Sequence, residues 1–251
     1  MLLLPVVHRL ASRNSADPHE ITAAALERHV SLLLESGLAA LDPRALIGDD
    51  GRPPRGMVLT FDDATIDQVR VAGPVLEGCG LRGLFYIPTG RLDRPGFLTA
   101  EDVEALAEAG HTIGSHSHTH PRMTSLSPHQ LQWELETSAS TIEGIVGHRP
   151  VHFAPPGGFH DGQVRKAAEA AGYTSLRTME WGVNTSFEPM RLQTVPVSES
   201  ALLLRVGLRR GGAPILRGLY GIKQVASSHL PPAGYAALRR VMAGRWTARQ
   251  G

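Results

Sequence analysis

The sequence predicts an α/β protein, a distorted parallel (β/α) barrel that is closed or nearly closed, with a doubly wound open sheet as the other arrangement of the same elements. Strand-like and helix-like segments alternate at least five times along the chain. The strand segments are short and apolar throughout, which suits burial on both faces. His8, Asp62-Asp63, His116 to His120, Pro155 to Gly158 and Glu180-Trp181 all fall at or just past strand C-termini. In a barrel those tips share one rim, where active sites are built, so the unusual residues favour the barrel over the open sheet.

Taken in order, Leu2 to Val7 reads as the first strand, ending at His8. Ile21, Ala24, Ala25, Val30, Leu33 and Leu34 give an apolar helical face between Glu20 and Ser36, stopped by Gly37. Residues 42–56, rich in Pro, Gly and Asp, read as a loop. Met57 to Phe61 is the second strand, and a helix to Glu77 follows the paired aspartates; Leu81 to Ile87 is the third strand. Thr99 with Asp102 makes an approximate capping box for a helix that ends at Gly110, and His111 to Ser115 is the fourth strand. Ser127-Pro128-His129-Gln130 is a helix start, with a Ser N-cap, Pro at the first position and Gln at the third; Leu131, Leu135, Ala139, Ile142 and Val146 then share one face. Val151 to Ala154 is a fifth strand, Gly162 to Ala171 a helix, and Tyr173 to Arg177 a sixth strand. Leu192 to Val197 reads as a further strand, with helices near Ala201–Arg210 and Ala233–Ala243.

At 251 residues the chain has ample length for a large core without staples. Its single cysteine, Cys79, excludes an internal disulfide framework and a cysteine-rich zinc site, so any metal must be held by His and carboxylate. Met1 to Val7 lacks a basic n-region and is too short to span a bilayer; with no other long apolar run, a cytoplasmic protein is expected. The formal net charge of +1 is uneven: after Glu199 there are nine Lys and Arg and no acidic residue, leaving −8 on residues 1–199. Such asymmetry suits either a solvated basic surface or contact with an anionic membrane surface. No aromatic-basic surface accompanies the positive tail, so nucleic acid is not expected as a partner.

The chemistry is carried by two strand tips. Asp63, His116 and His120 supply one oxygen and two imidazole nitrogens, the composition of a catalytic zinc site with an open position. His118 points away from its two neighbours and is read as a loop residue. Adjacent carboxylates at a buried tip repel unless something positive sits beside them, and a metal resolves this. Asp63 is then a ligand and Asp62 a general base taking a proton from water activated by the cation.

TFDDA at 60–64, SHSHTHP at 115–121 and FAPPGG at 153–158, in that order, resemble the first three motifs of the polysaccharide deacetylase family, the NodB-homology or family 4 carbohydrate esterases. The resemblance covers roughly residues 55 to 185. It implies a NodB-like distorted barrel, hydrolysis of N-acetyl groups from the amino sugars of a poly-, oligo- or lipid-linked saccharide, and one divalent metal ion, Zn2+ first, with Ni2+, Co2+ or Mn2+ as alternatives. It assigns Asp62 as base and Asp63, His116 and His120 as ligands. The turn at Pro155 to Gly158 is expected to offer a backbone donor to the oxyanion, with Gly157 the candidate because no side chain blocks approach, and Pro155 beside it.

Three departures from the family pattern stand out. Ala64 replaces the usual glycine after the aspartates. Ala154 replaces an arginine, so the salt-bridge network that steadies the base must be missing or rebuilt. The C-terminal strand ending in Leu-His, which supplies the acid, is not recognisable. Leu2 to His8 has the form of that missing strand, and in a closed barrel the first and last strands are neighbours. His8 is therefore expected to be the general acid in a circularly permuted arrangement, similar to the Tyr-His found early in biofilm poly-N-acetylglucosamine deacetylases, with His160 and His229 in reserve. Trp181 is expected to shape a slot for the acetyl methyl, to stack on a sugar, or to fill the core, and Glu180 to lie on the surface. Residues 1–200 are expected to form the catalytic domain and residues 201–251 a basic helical extension packed on or beside it. Rival readings are a related C–N hydrolase acting on formamide or ureide groups, and a non-catalytic metal- or glycan-binding module.

Overall fold

The computed structural model describes residues 1–11, 20–47, 54–231, 234, 237 and 238. Its strands are β1 (Leu2–Leu3), β2 (Pro5–Val7), β3 (Arg9–Ala11), β4 (Glu20–Thr22), β5 (Gly56–Met57), β6 (Leu59–Phe61), β7 (Gly83–Ile87), β8 (Thr112–Ser115), β9 (His152–Phe153), β10 (Ser175–Trp181) and β11 (Leu192–Pro196). Its helices are α1 (Ala23–Glu35), α2 (Gly73–Gly78), α3 (Ala100–Glu108), α4 (Pro128–Val146), α5 (Gly162–Ala170), α6 (Leu202–Leu208) and α7 (Gly212–His229).

Seven strands close a parallel barrel in the ring order β10, β11, β2, β6, β7, β8, β9. The period of two sorts their side chains. On β7, Leu84 and Tyr86 join Leu4, Val58, Ala154 and Leu192 in one buried cluster, whereas Phe85 and Ile87 pack with apolar residues of α1, α2 and α3 in the layer between sheet and helices. Phe61 and Phe85 stack in that outer layer with centroids 4.6 Å apart.

The first predicted strand is split. Pro5 lacks an N–H, and the chain passes from a two-stranded ladder of β1 with β5 into the barrel ladder of β2 with β6 and β11. The first helix starts later than its apolar pattern suggests, because the Thr22 hydroxyl accepts the Ala25 N–H and Glu20–Thr22 pairs with Arg9–Ala11 instead. The helix expected after the aspartates begins as a π-helical stretch, Gln68–Ala72, before α2. Both expected capping boxes, at Thr99 and Ser127, are present, and Gly147 ends α4 in a left-handed conformation at φ 79°. The sixth strand runs four residues beyond its predicted end, to Trp181.

The segment expected near Ala201–Arg210 is α6, and α7 was not expected at all. Pro214 and three glycines weaken its intrinsic propensity. Proline is tolerated in a first turn, and Leu216 and Ala226 are buried against the rest of the fold. The helix expected at Ala233–Ala243 lies mostly outside the described residues. Leu203, Leu204 and Leu216 belong to the same core cluster as the barrel's outer layer, so the described part of the C-terminal segment packs on the barrel. Among the described residues no helix is long and apolar enough to cross a membrane.

Two buried histidines, His29 and His152, set an acid limit on this fold. Burial, with the Arg28 charge adding to it, pushes His29 down from 6.5 to about 4, and burial pushes His152 down equally, from 6.5 to about 4. Between those values the unfolded chain takes up protons that the native chain refuses, so stability falls as pH drops through that window. Each site contributes at most about 3 kcal/mol. Urea midpoints measured from pH 7 to pH 4 should therefore show a shallower dependence for His152→Asn than for the unaltered protein; parallel curves would contradict the assignment.

Candidate active site

Four loops meet at the C-terminal rim. Asp62 and Asp63 follow β6, the turn Thr89–Arg91 follows β7, His116 to His120 follow β8, and Pro155 to Gly158 follow β9. The ladder continues one residue past β6, with the Asp62 N–H donating to the Val7 carbonyl at 3.0 Å, and past β8, with the His116 N–H donating to Ile87 at 2.9 Å. Regular pairing thus carries the chain to the point where chemistry begins, and then it bends sharply. Asp63 (φ 75°), Ala64 (φ 52°), Ser117 (φ 65°) and His120 (φ 65°) all adopt left-handed conformations without being glycine, which costs about 1–2 kcal/mol for each such residue. Ala64, where the family pattern has glycine, keeps the glycine-like backbone.

Asp63, His116 and His120 come together with one ligand atom each, all within 4.8 Å of one another. Asp63 Oδ1 lies 3.0 Å from His120 Nε2 and 4.0 Å from His116 Nε2. His116 Nδ1 is engaged with the Ala154 carbonyl at 2.6 Å, which fixes the ring and leaves Nε2 facing Asp63. The donor set and its spacing fit a divalent ion. Burial pushes His116 down to about 4, so it is neutral and able to coordinate at neutral pH. Burial alone would raise the Asp63 carboxyl, but the His120 hydrogen bond and the His116, His8 and His120 charges outweigh it and hold that carboxyl well below the usual carboxylate range.

The ligand loop is fastened from below by a residue that no motif flagged. Glu134, buried on α4, accepts the His118 and Thr119 N–H groups at 2.8 Å each and the Thr119 hydroxyl. His118 turns away from the triad, bonding Thr89 Oγ1 at 2.9 Å and meeting Trp133 edge-on.

Asp62 is only 2% exposed, and its charge is met by Arg177, 1% exposed, whose Nη2 reaches both carboxylate oxygens at 2.5 Å. Arg177 comes from β10, across the barrel, and its guanidinium lies 5.0 Å from the Tyr86 ring centroid. The network that lost an arginine at Ala154 is rebuilt from a different strand. Sequence spacing gave no sign of this, because Arg177 read as the end of an apolar strand.

His8 sits beside the same carboxylate, Nε2 to Oδ2 3.9 Å. The buried Gln68 amide donates to the carbonyls of both His8, at 3.2 Å, and Asp62, and so clamps the tips of β2 and β6 together. The reserves are engaged with other groups. His160 bonds the Gly158 carbonyl and lies 3.7 Å from Glu180, and His229 bonds the backbone of α7. Glu180 is partly buried and paired with Arg191 at 3.1 Å. Trp181 is 6% exposed and faces α7, its ring 6.1 Å from that of Tyr220 and under the Lys223 ammonium, in the outer core cluster.

Gly157 is left-handed at φ 64°, and a Cβ there would meet the Phe159 ring at 2.8 Å. The hydrogen bonds of its turn run from Gly158 N–H to Pro155 and from Phe159 N–H to Pro156, so they do not engage the Gly157 N–H.

The sequence signature named Polysaccharide deacetylase matches residues 49–176. The chain belongs to the polysaccharide deacetylase family. Among family relatives, the Bacillus subtilis (strain 168) protein YxkH is 28% identical over 71% of this chain and 65% of its own length. The peptidoglycan-N-acetylmuramic acid deacetylase PdaA of the same organism is 28% identical over 44% of this chain and 42% of its own. Chitin deacetylase 1 of Saccharomyces cerevisiae is 32% identical over 33% of this chain and 29% of its own. The chain thus spans less than two thirds of each of these relatives. The deacetylase fold extends further than the signature: Streptococcus pyogenes PplD, solved with acetate, superposes with TM-score 0.75 over 83% of this chain and 98% of its own at 19% identity. Ammonifex degensii IcaB superposes with TM-score 0.72 over 83% and 97% at 18% identity.

Removing one member of a buried ion pair strands the other, at a cost of about 3–5 kcal/mol. Arg177→Met should lose roughly that much in urea denaturation, while Asp62→Asn/Arg177→Met, which strands no charge, should recover part of it; a single variant as stable as the parent would refute the pairing.

Proposed function

We propose that this family member is a metal-dependent hydrolase that removes N-acetyl groups from the amino sugars of a poly-, oligo- or lipid-linked saccharide. The observation that carries the proposal is the division of Asp62 and Asp63 between two environments, one built to hold a base and the other to hold a cation.

A divalent ion held by Asp63, His116 and His120, Zn2+ first and Ni2+, Co2+ or Mn2+ as alternatives, would polarise the acyl carbonyl and lower the pKa of water toward about 7. Asp62 accepts the proton of the attacking water, its orientation fixed by Arg177. As the carbonyl carbon becomes tetrahedral, the Gly157 N–H is the candidate donor to the developing oxyanion. His8 Nε2 delivers a proton to the amine nitrogen, which departs from carbon as a neutral sugar amine, with acetate as the other product. His8 Nε2 lies 3.9 Å from Asp62 Oδ2 at the tip of the adjacent strand, so acid and base stand together at one reacting centre.

Acetate release from N-acetylglucosamine oligomers tests the proposal. It should fall at least about a hundredfold in Asp62→Asn and vanish on chelation, returning with added metal. His8→Ala should lose about 10²- to 10⁴-fold on the amide but far less on an aryl acetate, whose leaving group departs without a proton. Equal losses on both substrates would remove His8 from the acid role. Zinc binding without acetate release would favour the binding module.

A further inference from the structure

We infer that the rim of this site selects saccharides bearing an acidic substituent, a carboxylate or a phosphate, close to the N-acetylated sugar, and that Arg91 reads it. The inference deepens the deacetylase reading and rests on it for the identity of the sugar.

Arg91 lies on the turn after β7, which is sewn to the ligand loop: Thr89 N–H donates to Ser117 at 3.2 Å and Gly90 N–H to His118 at 2.8 Å. Its guanidinium is held between two groups, 5.4 Å from the Phe97 ring centroid and 3.3 Å from Asp63 Oδ1. That oxygen is also the one His116 and His120 face. The side chain is 28% exposed, so the cation is positioned at the metal site and still reaches solvent at its mouth.

The charge balance there is what selects the ligand. A divalent ion more than neutralises Asp63, and Arg91 then stands beside a centre already positive. Of the carboxylates around it, Asp62 is paired with Arg177, and Glu134, held by backbone N–H groups of the ligand loop, keeps its charge and reduces the excess without cancelling it. A neutral sugar leaves the excess uncompensated. An anionic group set against Arg91 compensates it and takes a planar, two-pronged donor suited to carboxylate and phosphate alike. A second exposed guanidinium, Arg122, stands two residues past His120, stacked 4.1 Å over the Phe159 ring. Phe159 is 45% exposed and lies against Gly157, so the same mouth offers apolar surface for the sugar ring.

Specificity is a difference of affinities, so the test compares matched ligands. Metal-loaded Asp62→Asn protein, in which turnover is slowed at least about a hundredfold, is titrated calorimetrically with a chitooligosaccharide, with an N-acetylated oligosaccharide of equal length carrying lactyl-ether carboxylates, and with a phosphorylated one. At least one acidic ligand should bind on the order of tenfold tighter than the neutral one, with an advantage that shrinks at high salt; which one it is identifies the anion. Adding Arg91→Gln should bring the ratio close to one, and Arg91→Lys should keep part of it. Urea midpoints equal to that of the Asp62→Asn protein would confirm that the Arg91 variants are folded. Equal binding of all three ligands, or a ratio that survives Arg91→Gln, overturns the inference. Acetate release by the unaltered protein is measured alongside: release with no acidic preference sinks this inference alone, whereas Arg91-dependent acid binding with no release from any ligand sinks the deacetylase reading.

Discussion

Two carboxylates on consecutive residues at a buried strand tip cannot both keep their charge unless each has its own cation, and the rim is arranged around that constraint. Asp62 is met by Arg177 from β10, which is not a neighbour of β6 in the ring and reaches it across the barrel. Asp63 is met by the Arg91 guanidinium and faces the His116 and His120 imidazoles, from the loops after β7 and β8. The positive φ at Asp63 turns the backbone between the two side chains and lets them diverge. The same separation gives two chemically identical residues different surroundings, which is what the proposed division into base and ligand requires, because environment rather than residue type sets the role of a carboxyl.

The divergence has a conformational cost. Left-handed Asp63, Ala64, Ser117 and His120 together store several kcal/mol at about 1–2 each, a large share of the stability of an ordinary domain. Such strain persists only where the surroundings over-determine it. Here Glu134 takes two backbone N–H groups of the His118–Thr119 segment, Ser117 Oγ takes the His120 N–H at 3.1 Å, and Gln68 holds the carbonyl of Asp62. Each of these supports is buried or partly buried, where a hydrogen bond lost leaves an unpaired group away from water. The site is therefore preorganised by the polar layer just beneath it, and that layer rests on the apolar cores of α4 and the strands.

The parallel barrel, the strand tips and the clustering of Asp63, His116 and His120 were legible in the sequence because they depend on local patterns. A strand reads as a short apolar run, a cap as Ser127 with Gln130, and a ligand set as a run of imidazoles opposite a pair of carboxylates. Arg177, Gln68, Glu134 and Arg91 were not legible, because each acts through a partner far away in sequence: Arg177 and Asp62 are 115 residues apart, and Glu134 is 16 from His118. Each taken alone is an ordinary helix, loop or strand residue. Trp181 illustrates the converse, since its place near a strand tip suggested the mouth of the site, and the register shift between Arg177 and Trp181 sets it in the outer layer against α7. Helix α7 escaped because its glycines and proline speak against a helix that only tertiary packing sustains.

The position of His8 follows from a property of closed rings. β2 pairs with β11 on one side and with β6 on the other, through Pro5 with Val195 and Val6 with Thr60. A strand's place on the rim is set by those two neighbours, and nothing in the pairing depends on whether it is first or last in the chain. The cost of joining distant segments grows only slowly, by about 0.6 kcal/mol for each doubling of loop length. An N-terminal β2 can therefore occupy the closing position with little penalty in stability. Its tip then lies where the amide hydrogen-bonded pair of Asp62 and Val7 and the Gln68 clamp bring it to the base. Chain order could change while the spatial order of His8, Asp62 and the Asp63, His116, His120 cluster around the rim stayed the same, and it is the spatial order on which the proposed proton transfer depends.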